Sequence, residues 1–147
     1  MPIYFHTARG KYGFLSNFAP YGVEFAGQWF PTAEHYYQAQ KYAGTPVAEQ
    51  IRTAATPKEA YRVGRSAQSA LRADWEEIKE AIMLTVLRRK FAMHKELQKQ
   101  LLATGEEELI EDDVTNAYWG CGANGQGRNR LGHLLMLVRN ELRSAAE

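Results

Sequence analysis

From Pro31 to its end the chain is punctuated by helix-start and helix-stop signals, and these limit its fold more than any other feature. The plainest is Thr56-Pro57-Lys58-Glu59. Thr56 is an N-cap, Pro57 sits at the first helical position, and Glu59 stands three residues after the cap. The helix it opens carries Ala60, Tyr61 and Val63 toward Gly64. Asp74 and Glu77 give a second such start. Behind it Trp75, Ile78, Ile82 and Val86 follow helical spacing, and Leu97 and Leu101 continue the stripe to a stop at Thr104-Gly105. An earlier helix is expected over about 31–42, ending near Gly44-Thr45-Pro46, with a further short one over 46–54. Leu131, Leu134, Leu135 and Val138 place an amphipathic helix at the C-terminal end.

Residues 1–30 lack that period. "IYF", "GFLSNF" and "VEFAGQWF" read as short strands or extended turns, with a tight turn between Phe25 and Trp29. "EEELIEDDV" reads as a turn plus a strand-like piece. The expected fold class is therefore mainly α (α+β): a single compact helical domain over 1–147 with a few short N-terminal strands. The length of 147 residues fits one domain. It also buries enough surface for a core without covalent staples.

A formal net charge of +1 provides no global field toward DNA or an anionic membrane. It disfavours a sequence-reading nucleic-acid binder. The single cysteine, Cys121, excludes an internal disulfide and a zinc site built on several thiolates. It fits a reducing compartment. The first residues resemble no signal peptide, and no apolar run reaches the roughly 20 residues of a membrane span. A soluble, cytoplasmic protein without membrane partners is expected. His6, His35, His94 and His133 show no metal-ligand spacing, so no metal is expected.

One stretch is unusual chemically. In "FPTAEHYYQAQKY", Glu34, Gln38 and Lys41 share a narrow stripe at about 100° per residue, among His35, Tyr36, Tyr37 and Tyr42. One reading is a solvated stripe with Glu34 favoured by the helix dipole. The other is a cleft, in which Glu34 serves as general acid or base. Lys41 would then stabilise charge or act as an amine nucleophile.

"GCGANG" at 120–125 matches a dinucleotide fingerprint in letters alone. No apolar strand precedes it and no βαβ unit surrounds it, so that reading is rejected. Gly120, Gly122, Gly125 and Gly127 instead invite a close approach of backbone N–H groups to an anion. Arg128 and Arg130 flank them, and Asn129 is placed to cap the last helix. The alternative is a plain surface loop. Trp119 is placed to stack on a base, whereas Trp75 reads as core. Ser16 and Asn17 lie on either a bland β-edge or a binding strand. Cys121 reads as inert rather than as a nucleophile.

Taken together, "GFLSNFAP", "WFPTAEHYYQAQKY", "ADWEEIKEAIM", "LRRKF" and "AYWGCGANGQGRNRLGHLLMLVR" resemble the NADAR superfamily, the YbiA-like N-glycosidases, over about residues 12–143. The resemblance implies a mainly helical fold with a few short strands and no cofactor. It also implies hydrolysis of an N-glycosidic bond between a base and a ribose phosphate or ADP-ribose. Two substrate classes follow: phosphoribosylamino-pyrimidine intermediates of riboflavin synthesis, and ADP-ribosylated guanine in nucleic acid.

Carried over by position, Glu34 and Lys41 are the catalytic candidates. The expected substrate-binding residues are Ser16, Asn17, Gln38, Trp75, Asn116, Trp119, Gly120, Gly122, Gly125, Gly127, Arg128 and Asn129. Asn116 departs from the resemblance, because many relatives are expected to carry Asp there; Asp112 or Asp113 is the nearest substitute. The rival class is a non-catalytic module that binds ADP-ribose or a nucleotide.

Overall fold

The computed structural model describes residues 1–146. Its elements are β1 (Ile3–Phe5), β2 (Val23–Phe25), β3 (Gln28–Phe30), α1 (Ala33–Gln40), α2 (Pro46–Arg52), α3 (Pro57–Ser66), α4 (Trp75–Met93), α5 (Lys95–Ala103), β4 (Leu109–Glu111) and α6 (Arg130–Ala146). The fold is mainly α with a few short strands, as expected. The chain divides into two compact units, Pro20–Lys90 and Met1–Ala19 with Phe91–Glu147, and α4 carries the division between Lys90 and Phe91.

The unit Pro20–Lys90 begins with a hairpin. β2 and β3 pair antiparallel with Val23 opposite Phe30, Glu24 opposite Trp29 and Phe25 opposite Gln28. Ala26 and Gly27 form the two-residue turn at φ 51° and 84°, a left-handed pair that suits the strands' twist. Thr32 then caps α1: its Oγ1 accepts from His35 N at 3.1 Å. Thr56 caps α3 in the same way, accepting from Glu59 N. Glu59 gives its carboxylate to Arg62.

α1 is short and buried on nearly every side, from Ala33 through Ala39. Its aromatic residues have distinct partners. Tyr36 stacks on Phe25 at 4.1 Å and meets Phe30 edge-on. His35 lies against Thr32 Oγ1 and the Ala54 carbonyl. The Tyr42 hydroxyl donates to the Gly64 carbonyl.

In the other unit β1 pairs parallel with β4, Ile3 opposite Leu109. α5 contributes Leu97 and Leu101 to the core, and α6 contributes Leu131, Leu134, Leu135 and Val138.

Two expectations are corrected. "GFLSNF" is not a strand: Gly13–Leu15 form a 3₁₀ turn, and Ser16 Oγ accepts from Phe18 N. Here Gly13 packs so tightly on Ala8 that a Cβ would lie 2.3 Å from its carbonyl oxygen. The apolar stripe from Trp75 to Leu101 is not continuous either. His94 takes an extended backbone, φ −120° and ψ 92°, and separates α4 from α5. Periodicity reports which face is apolar and does not register a single residue leaving the helical region.

Candidate active site

Glu34 occupies the first turn of α1, where the helix dipole favours a carboxylate. Yet it is only 7% exposed. Burial pushes its pKa up, while the Gln38 hydrogen bond and the charge of Lys41 pull it back. Gln38 stands one turn later and donates from Nε2 to Glu34 Oε2 at 2.7 Å. The room for Gln38 comes from Gly64 in α3: a Cβ there would lie 2.0 Å from Gln38 Oε1. A glycine inside a helix costs about 1 kcal/mol relative to alanine, so the close approach of α3 to α1 is the physical return on that position.

Lys41 ends α1 as its C-cap. Its Nζ lies 5.6 Å from the centre of the Tyr37 ring and 5.8 Å from that of Trp75. The two rings meet edge to face at 5.1 Å. Burial lowers the Lys41 pKa; Glu34 opposes this most, Arg65 and Lys79 add to the lowering, and Glu76 opposes it. The stripe is therefore largely buried in this unit, beside the Tyr37 and Trp75 rings. It holds a carboxyl made easier to protonate and an amine made easier to deprotonate, the pairing that general acid–base and amine-nucleophile chemistry require.

Trp75 is buried beside Lys41, at 5% exposure. It packs with Tyr37 and underlies the Lys41 ammonium, rather than lying open as a stacking platform. Sequence reasoning did not single out Tyr37, Gly64, Arg65, Glu76 or Lys79 as site residues. Tyr37 had a signal in its spacing one turn before Lys41, and Gly64 had one in being a glycine within a well-capped helix. Arg65, Glu76 and Lys79 had none.

The remaining expected residues belong to the other unit. The glycine-rich segment corrects the expected anion cradle, because its backbone N–H groups are taken up internally. Gly120 N donates to Asn116 O, Gly122 N to Asp113 O, Gly125 N to Gly122 O and Gly127 N to Cys121 O. Arg128 N and Arg130 N donate to the carbonyls of Ala117 and Tyr118. The glycines serve a close backbone approach: a Cβ on Gly127 would stand 2.5 Å from Gly120 O.

Asn129 also departs from expectation. Its Nδ2 donates to Leu109 O and its Oδ1 accepts from Glu111 N, so the side chain fastens β4. Arg128 is exposed, its guanidinium 4.9 Å over the Tyr118 ring. Trp119 is half-buried and meets Tyr118 edge-on at 4.9 Å.

Asn116 Oδ1 accepts from both Tyr118 N and Trp119 N. An aspartate could accept the same two bonds, so Asn116 preserves the turn while giving up the charge. Asp113 Oδ1 is engaged by the Thr115 amide and hydroxyl. Asp112 faces the Cys121 thiol at 3.5 Å. Burial raises the pKa of that thiol, with Asp112 adding to the effect; this is the chemistry of an inert cysteine. Ser16 and Asn17 are buried in the 3₁₀ turn segment. Among the described residues no group of three His, Cys, Asp or Glu side chains could hold a metal ion. Among the described residues, no helix is long and apolar enough to cross a membrane.

The two motif blocks that carry the resemblance thus supply a buried carboxyl and a ring-contacting lysine on one short helix, and the glycine-rich segment downstream. The NADAR domain family model matches residues 4–143, and the chain belongs to that family. An N-glycosidase of Nostoc punctiforme is 44% identical over 98% of this chain and 94% of its own. The N-glycosidase YbiA of Escherichia coli K12 is 44% identical over 95% of this chain and 88% of its own. The NMR structure of E. coli YbiA superposes with a TM-score of 0.89, covering 98% of this chain and 86% of that one. A riboflavin biosynthesis protein of Vibrio vulnificus is 42% identical over 99% of this chain, which spans 40% of that longer protein.

Proposed function

We propose that this protein is an N-glycosidase that hydrolyses the bond between a ribose and a nitrogenous base, with Glu34 and Lys41 as its catalytic pair. The observation that carries the reading is the Lys41 amine, lying against both the Tyr37 and Trp75 rings and coupled in charge to buried Glu34. The N-glycosidase names of the Nostoc and E. coli relatives support the reaction class.

The chemistry follows from the two shifted groups. Protonated Glu34 donates to the ribose ring oxygen as the C1–O bond breaks, and the lone pair of the glycosidic nitrogen forms an imine at C1. The neutral Lys41 amine adds to C1, and the base departs as its amine, taking the proton that Lys41 loses. Water, deprotonated by ionised Glu34, adds to the Lys41 Schiff base and releases the open-chain sugar. Burial helps because a desolvated lysine is neutral for more of the time. Gln38 keeps Glu34 from being held permanently protonated.

For the substrate we favour a phosphoribosylamino-pyrimidine, a reading supported by the name of the Vibrio relative. Such a compound already carries the nitrogen lone pair that opens the ring. We further read the span matched by the family model as one functional domain, working in the cytoplasm, where the buried free thiol of Cys121 stays reduced.

The test is to incubate the pure protein separately with a phosphoribosylamino-pyrimidine and with guanine-ADP-ribosylated DNA, following products by mass spectrometry. Release of ribose 5-phosphate from the first is the expected result. Release of ADP-ribose from the second alone would replace the proposed substrate with the nucleic-acid adduct. Tight binding without product from either would replace the enzyme by a binding module.

A further inference from the structure

The end of α1 and the start of α4 are tied together by two residues outside the proposed catalytic pair, Arg72 and Asp74. Arg72 stands in the segment between α3 and α4. Its backbone N–H donates to the Lys41 carbonyl at 3.0 Å, and its guanidinium Nη1 reaches the Gln40 carbonyl at 3.4 Å. Carbonyls at the end of a helix lack partners within it and take such donors from outside. The same guanidinium forks onto the Asp74 carboxylate, from Nε to Oδ1 at 2.6 Å and from Nη2 to Oδ2 at 3.2 Å. Asp74 in turn opens α4, its carbonyl accepting from Glu77 N and Ile78 N. Trp75 N donates to the Arg72 carbonyl at 3.3 Å.

The main chains of Lys41 and Trp75 are thus both bonded to Arg72. Their side chains meet as well, with Lys41 Nζ 5.8 Å from the centre of the Trp75 ring and 5.6 Å from that of Tyr37. The Arg72 and Asp74 side chains are 32% and 44% exposed, so the charge pair by itself contributes little. Its value is geometric: a two-bond fork fixes direction as well as distance, and here one guanidinium serves both helices. Around Lys41, Glu34 from α1 and Glu76 from α4 favour the proton, while Arg65 from α3 and Lys79 from α4 oppose it. The rings attract an ammonium at these distances, yet burial is the largest influence and lowers the pKa. A start of α4 free to swing away would let water reach the amine.

We propose that Arg72 and Asp74 are positioning residues, whose forked pair holds the start of α4 on the end of α1 and so keeps Trp75 against Lys41 and water away from its amine. The inference rests on the proposed N-glycosidase reading, which needs that amine neutral, and deepens it by naming what holds the amine dry.

The test titrates Lys41 in the free, full chain by NMR of the lysine side chains, with its signal assigned by its loss in Lys41→Arg. Asp74→Ser keeps a capping side chain for α4 but is too short for the fork. Removing that anion by charge alone would make Lys41 easier to deprotonate, whereas losing the Trp75 contact makes it harder, so the two effects differ in sign. The Lys41 pKa should rise by roughly half a pH unit or more in Asp74→Ser and in Arg72→Ala. Arg72→Lys, which keeps the cation without the fork, should fall between Arg72→Ala and wild type. Circular dichroism checks the fold, and buried Lys90 should titrate in the same spectra as it does in wild type. A fall in Asp74→Ser would mean that the pair acts through charge alone and would overturn the positioning role. So would a wild-type Lys41 titration in folded Arg72→Ala, or a change shared by Lys90. No substrate enters the measurement, so absence of turnover with the expected rise intact would sink the proposed reaction and leave the clamp standing.

Discussion

Gln38 Nε2 donates to Glu34 Oε2 at 2.7 Å, joining two buried side chains one turn apart on α1. Burial raises the Glu34 pKa and this bond lowers it. In Gln38→Leu the lowering is lost, so the Glu34 pKa moves further up and less of the carboxyl is ionised at neutral pH. A hydrogen bond to a charged group contributes roughly 1.5–3 kcal/mol, so hydrolysis of the Lys41 Schiff base, the step that uses ionised Glu34, should become limiting, slowing turnover at pH 7 on the order of tenfold, with recovery as pH rises. The acid limb of the kcat profile reads this directly; a limb in its wild-type place would remove Gln38 from the tuning of Glu34.

Glu34→Gln should abolish turnover and yet stabilise the fold at high pH. The sign follows from the raised folded pKa. Between the ordinary value of 4.5 and the folded one, the folded state binds more protons than the unfolded state, so stability declines as pH rises through that window. The amide carries no such cost. Thermal melts across pH should show the variant more stable than wild type above the window, with the difference shrinking toward pH 4. Near-normal turnover would refute the role assigned to Glu34.

Lys41 should be trapped covalently. Borohydride added during turnover reduces a Schiff base to a stable secondary amine, and peptide mapping by mass spectrometry should find the sugar on Lys41. Lys41→Arg keeps a cation over the Tyr37 and Trp75 rings but cannot form the adduct, and its rate should drop by at least ~100-fold. An active enzyme with no adduct would restrict Lys41 to orienting charge.

Gly64→Ala tests the contact between α3 and α1. At an open helical site this change stabilises by roughly 0.5–1 kcal/mol. Here the new Cβ would lie 2.0 Å from Gln38 Oε1 and 2.8 Å from Cδ. Overpacking costs ~1–3 kcal/mol, which for a chain of this size lowers Tm by roughly 2–4 °C per kcal/mol. Displacing Gln38 should also move the acid limb of kcat in the same direction as Gln38→Leu. A rise in Tm would mean that the two helices separate easily.

Lys90 is fully buried on α4, its Nζ 6.0 Å from the Tyr21 ring centre, and burial pushes its pKa down to about 7 from an ordinary 10.5. Between those values the unfolded state binds more protons, so stability rises with pH across the interval. Lys90→Met should flatten that slope, as read by urea midpoints from pH 6 to pH 10. A variant with the wild-type slope would show that Lys90 keeps its proton in the folded state.

Much of the architecture was legible because it is written in local chemistry. The Thr56 cap depends on a hydroxyl and an amide three residues apart, and the Ala26-Gly27 turn on two left-handed residues between short strands. What failed was equally physical. "GFLSNF" alternates like a strand, yet it opens in a 3₁₀ turn whose Gly13 packs closely on Ala8, a contact with no signature in the alternation. Four glycines and two arginines look like a cradle for an anion, but whether an N–H is free depends on which distant carbonyl reaches it. For these four glycines the carbonyls of Asn116, Asp113, Gly122 and Cys121 do.

The candidate site divides along the same line. The order Glu34, Gln38, Lys41 on one stripe was determined by sequence alone, because the helical repeat fixes which side chains share a face. Tertiary structure decided that the stripe is buried rather than solvated, and that of its aromatic neighbours Tyr37, with Trp75 from α4, walls the lysine. It also set Arg65 and Lys79 near enough to act on the charge of Lys41. The reason is that pKa and reactivity follow burial and neighbouring charge, and those are set by how α1, α3 and α4 pack, a relation among residues far apart in the chain.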